Sequence, residues 1–128
     1  MALHSFSPGS IIEYVPEYGK NKENDPPCIV KLRYVPFVKT QEYARLLAAR
    51  TRHYATPDKS GAIIASQEIQ KRQFIENIDS VSGFFVGERE VSTPEELWDN
   101  APAGLVYELV SAMEDSQKLR AGIKKEAQ

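Results

Sequence analysis

A chain of 128 residues, 41% hydrophobic and 27% charged, can build one domain with its own core and needs no metal or disulfide staple. Its 16 basic and 18 acidic residues leave a net charge of −2, which argues against a dedicated nucleic-acid binder with a clustered cationic excess. The single cysteine, Cys28, excludes an intramolecular disulfide and a cysteine-based zinc site.

Residues 1–10 carry no basic start followed by an apolar run, so they do not read as a secretory signal. No apolar stretch approaches the roughly 20 residues of a spanning helix, and the expected location is the cytoplasm. Residues 1–9 are expected to be flexible. Residues 10–16 (SIIEYVP) read as a short strand, rich in β-branched and aromatic side chains. Residues 28–36 (CIVKLRYVP) read as a second. Cys28, Val30, Leu32 and Tyr34 fall on one face and Lys31 and Arg33 on the other, the period of a half-covered sheet. Residues 17–27 (EYGKNKENDPP) hold no apolar run, which predicts a mobile hairpin loop.

Thr40 is placed to cap a helix reaching about Tyr54, with Tyr43, Leu46, Leu47 and Tyr54 near one side. Its other side is basic: Arg45, Arg50, Arg52 and His53. After the break at Thr56-Pro57-Asp58, a second helix is expected from about Asp58 or Ser60 to about Asp79. Its apolar side takes Ile64, Ile75 and Ile78, with Ile69 and Phe74 nearby. Residues 81–91 predict a small hairpin turning at Gly87-Glu88. Ser92 or Thr93 then caps a helix over about 94–99, favoured by Pro94 in the first turn and by Glu95 and Glu96 at its positive end. Over 102–115, Leu105, Val106, Leu109, Val110 and Met113 form an apolar stripe at helical spacing. Residues 120–128 are expected to be a flexible tail. The fold class is α+β: an N-terminal hairpin or small antiparallel sheet packed with three to five helices, in a single domain.

The residues present no catalytic set. His4 and His53 lack neighbouring acids or cysteines at ligand spacing, so no metal site and no general base is expected. Cys28 lies on the apolar face of its strand, where it acts as a small hydrophobe. Gly83 and Gly87 are not followed by the lysine and long helix of a phosphate loop, and no cofactor is expected. Glu95 and Glu96 are accounted for by the helix dipole. The arginine face of the first helix is the only basic cluster, and a solvated face explains it.

Interaction residues are better supported. Phe84 and Phe85 are neighbours on a short strand and point to opposite sides, so one of them meets either a partner or a two-sided core. Large apolar residues are crowded into short elements between 81 and 107. The candidate anchors for a partner are Phe84, Phe85, Leu97, Trp98 and Tyr107, with Val106, Leu109, Val110 and Met113 assigned to the core.

The stretch FIENIDSVSGFFVGEREVSTPEELWDNAPAGLVYELVSAMEDSQKL, residues 74–119, resembles small tail-region proteins of long-tailed bacteriophages and prophages, the tail assembly chaperones. The residues that carry the resemblance are Ile78, Val81, Gly83, Phe84, Gly87, Val91, Thr93, Glu95, Glu96, Leu97, Leu109, Ser116 and Leu119. It implies a non-enzymatic role: holding a tape-measure or tail-tube protein until the tube polymerises, with self-association left open. Two other roles stay open. One is a structural tail-completion or head–tail connector component, and the other a small nucleic-acid-binding regulator using the arginine face.

Overall fold

A computed structural model of the chain describes residues 2–53 and 59–115. Tyr54, the break at 56–58, the tail 120–128 and the resemblance positions Ser116 and Leu119 lie outside the described residues.

Strand β1 (Ile11–Tyr14) pairs antiparallel with β2 (Ile29–Arg33). The expected alternation holds: Val30 and Leu32 are fully buried, while Lys31 and Arg33 are half-exposed. Helix α1 (Phe37–His53) begins three residues before the expected Thr40 cap, because the Pro36 carbonyl already accepts from the amides of Lys39 and Thr40. Phe37 and Val38 are thereby left 75% and 57% exposed. Tyr43 of α1 is buried in the core, and Leu46 and Leu47 pack against it.

Helix α2 (Lys59–Asn77) passes directly into β3 (Ile78–Ser82). Here the sequence expectation is corrected. Ile78 belongs to a third strand that pairs with β2, opposite Leu32, and not to the helix. Two cross-strand rows result, Ile12–Leu32–Ile78 and Tyr14–Val30–Val81, and all six side chains join the core. The α2 face is corrected at Ile64 alone, since Ile69 and Phe74 are buried and Ile75 packs against the core as expected. The buried positions of α2 are Ala65, Ile69, Gln73, Phe74 and Asn77, whereas Ile63 and Ile64 are 57% and 47% exposed. Two of these core-facing positions carry amides, which broke the apolar pattern. Both amides are satisfied: Gln73 Nε2 donates to Glu114 Oε1 at 2.8 Å, and Asn77 Nδ2 donates to the Tyr43 hydroxyl at 2.8 Å.

The small hairpin is shorter than expected. Strands β4 (Phe85–Val86) and β5 (Arg89–Glu90) pair across the Gly87-Glu88 turn, with Gly87 at a φ of 62°. Helix α3 (Pro94–Asn100) is capped as its sequence predicts: the Glu96 amide donates to Thr93 Oγ1 at 3.2 Å. Arg89 reaches across to the Glu96 carboxylate and ties the hairpin to α3. Helix α4 (Ala103–Glu114) buries Leu105, Val106, Leu109, Ala112 and Met113. With a three-stranded sheet, a two-stranded hairpin and helices covering them, the fold is α+β.

Residues 17–27, expected to be a loop without an anchor, are held by polar side chains. A short 3-10 segment (Tyr18–Glu23) buries Asn21. Its Nδ2 donates to the carbonyls of Pro16 (3.0 Å) and Cys28 (2.9 Å), and the Cys28 amide donates back to Oδ1 at 2.8 Å. From α4, the Glu108 carboxylate accepts from the Tyr14 hydroxyl (2.6 Å) and from the amides of Glu17 (2.8 Å) and Tyr18 (3.0 Å). The Tyr18 ring lies against Gly104, where an added Cβ would sit 2.8 Å from Cε2. At the N-terminus, Phe6 packs on Tyr34 with ring centroids 5.6 Å apart.

Candidate partner-binding surface

The five expected anchors divide among three environments. Leu97 is fully buried in the common core, so its assignment to a partner surface is corrected. The reason is the α3 geometry. Thr93 and Pro94 start the helix such that Leu97 turns inward and Trp98 falls beside it at the edge. Trp98 is half-buried, edge-on to Phe74 at a centroid distance of 5.2 Å. Tyr107 stands 62% exposed on α4, next to the buried Val106. Phe84 is half-buried against the core, and Phe85 is 56% exposed on β4. Phe84 lies just before β4, and both β4 residues, Phe85 and Val86, are exposed, so the two aromatics differ in burial without the strand itself alternating.

Trp98 and Tyr107 meet in an open cleft of about 450 Å³ between α2 and α4. Ala103 and Val106 complete the apolar wall, and Ile64, Gln67, Glu68, Gln70 and Lys71 of α2 line the rest. Phe84 and Phe85 are not among its lining residues, so the exposed Phe85 stands apart from it. The α2 wall escaped the sequence reading because Ile64 was assigned to the core. The adjacent Ile63-Ile64 pair held the available signal: neighbours on a helix diverge, and both cannot enter one core. The exposed Phe37-Val38 pair at the start of α1 was also missed.

A second, smaller cleft of about 310 Å³ lies between α1, α2 and α4, lined by Tyr43, Leu47, Ile69, Gln73, Val110 and Glu114 among others. The arginine face of α1 is partly neutralised, since Arg50 pairs with Glu68 at 3.3 Å. Among the described residues, no group of three His, Cys, Asp or Glu is placed to hold a metal ion. Among them also, no helix is long and apolar enough to cross a membrane.

The titratable groups with perturbed environments serve packing. Burial, with the Glu76 carboxylate as hydrogen-bond partner, pushes the Tyr43 hydroxyl up to about 12. Burial and the bond to Glu108 raise the Tyr14 hydroxyl further still. Burial would raise the Glu76 carboxyl, but hydrogen bonds from Arg72 (2.7 Å) and Tyr43 (2.8 Å) outweigh it and hold the group below the ordinary range. Burial pushes the Cys28 thiol from an ordinary 9.0 up to about 11. At neutral pH this thiol is protonated and a poor nucleophile.

The sign of the Cys28 effect follows from its raised value. Keeping the thiol protonated favours the folded state fully below about pH 9, and that contribution fades as pH rises through about 11. Denaturant titrations of the wild type and Cys28→Ala at pH 8, 9, 10 and 11 should therefore show the wild type losing stability more steeply above pH 9. Parallel curves would mean that the thiol ionises as freely in the folded chain as in the unfolded one.

Comparison with protein-family models, with curated proteins and with solved structures finds no match to this chain.

Proposed function

We propose that this chain is a non-enzymatic interaction module of tail morphogenesis in a long-tailed bacteriophage or prophage. It acts in the host cytoplasm as an assembly chaperone that holds a tape-measure or tail-tube protein until polymerisation. The observation that carries the binding role is the meeting of Trp98 and Tyr107 on one open cleft, with Tyr107 62% exposed. Aromatic side chains set in a concave, partly desolvated site are the usual anchors of protein–protein contacts. The tail-assembly setting rests on the resemblance carried by residues 74–119. A protonated Cys28 thiol and tyrosines engaged in packing bonds support a binding role over nucleophilic chemistry.

Deleting the gene in the phage or prophage that carries it tests this reading. Loss of tails is expected, with rescue by the wild-type chain and none by Tyr107→Asp. The wild-type protein should also be missing from purified virions. Normal tail yield after deletion would refute the assignment, and retention in the virion at stoichiometric copy number would place the chain among the structural tail components instead.

A further inference from the structure

The α2 wall of the Trp98/Tyr107 cleft is polar, and its polarity is one-sided. Gln67, Gln70 and Lys71 lie three and four residues apart and line the same cleft. Glu68, the one acid lining the cleft among the described residues, is engaged by Arg50 at 3.3 Å. Lys71 is exposed, and no ion pair or hydrogen bond engages it among the described residues. Among the described residues, the cleft thus has an apolar wall on α3 and α4, two amides without a hydrogen bond, and one cation, Lys71, without an ion pair at its rim. A basic segment would meet Lys71 with repulsion, and a purely apolar one would leave the amides and the ammonium group unpaired.

We infer that the cleft takes an acidic amphipathic helix of a partner protein. Its apolar side chains lie on Trp98, Val106 and Tyr107, and a carboxylate faces Lys71. An amphipathic helix suits the shape, because a groove between two helices accepts side chains spaced three and four residues apart. The inference rests on the binding role given above and adds the charge of the occupant.

The chain has one tryptophan and it lines this cleft, so its emission responds to an occupant there. The probes are two synthetic 15-residue peptides sharing one leucine stripe at i, i+3, i+4 and i+7, with glutamate flanks in one and lysine flanks in the other. The full chain should bind the glutamate peptide with a saturable change in Trp98 emission and the lysine peptide roughly fivefold or more weakly. Added salt should narrow the gap, and Lys71→Glu should reverse the preference while unfolding at the same denaturant midpoint as the wild type. Equal binding of both peptides, each shifting Trp98 emission, would overturn the charge inference and leave the cleft as a docking site. Emission unmoved by either peptide would overturn both. An emission shift that follows protein concentration without peptide would assign the cleft to a second copy of the chain and likewise overturn the inference.

Discussion

Leu109→Ala should lower the unfolding free energy by about 2–5 kcal/mol, whereas Tyr107→Ala, two residues earlier on α4, should change it by no more than about 0.5 kcal/mol. Leu109 is fully buried and joins the cluster formed with Phe74, Leu97 and Met113. Truncation there removes its transfer free energy and leaves a cavity that rigid neighbours on three elements cannot close. Tyr107 is 62% exposed and gives up little on folding. Trp98→Ala falls between them, at about 1–3 kcal/mol, since much of the indole is already buried, edge-on to Phe74. Trp98 therefore both supports the core and lines the cleft, and Tyr107 is the cleaner residue for separating binding from stability. Urea unfolding of the three variants checks the ranking. A Tyr107→Ala loss as large as that of Leu109→Ala would mean that α4 packs with a different face.

Glu108→Ala should have the second large effect, and a local one. The carboxylate accepts from the Tyr14 hydroxyl and from the Glu17 and Tyr18 amides, and so joins the end of β1 and the start of the 3-10 segment to α4. Hydrogen bonds to an ionised acceptor contribute more than neutral ones, and their joint loss should cost about 1–3 kcal/mol, water replacing part of it at the exposed amides. Trypsin should cut the variant at Lys20 or Lys22 several times faster than the wild type, while cleavage within α4 stays slow. Unchanged cleavage at Lys20 and Lys22 would show that the Asn21 bonds alone hold the segment.

The features legible in the sequence depend on near neighbours. The period of two over 28–34, the apolar stripe of α4 and the Thr93-Pro94 start of α3 each follow from residues within one element. The features missed depend on distant partners. Residues 17–27 lack apolar anchors, yet Glu108 holds their start from up to 91 residues away, and no local pattern announces that bond. Helix α2 gives way to β3 at Ile78 because Leu32 of β2 lies opposite, a pairing that helical periodicity cannot register. Gln73 and Asn77 occupy core-facing positions because Glu114 and Tyr43 satisfy them, so part of the buried face of α2 reads as polar and the exposed Ile64 reads as core. The candidate surface was half legible for the same reason. Trp98 and Tyr107 stood out by type, whereas Leu97 was misassigned and the α2 wall required the tertiary fold.

The most direct test of the central claim is site-specific photo-crosslinking during tail assembly, with a photoreactive residue in place of Tyr107 and, separately, of Phe37 as an exposed control. A crosslink from position 107 to a tape-measure or tail-tube protein is expected, and none from position 37. A crosslink from position 37 with none from position 107 would place the partner on the start of α1 and contradict the assignment of the α2–α4 cleft.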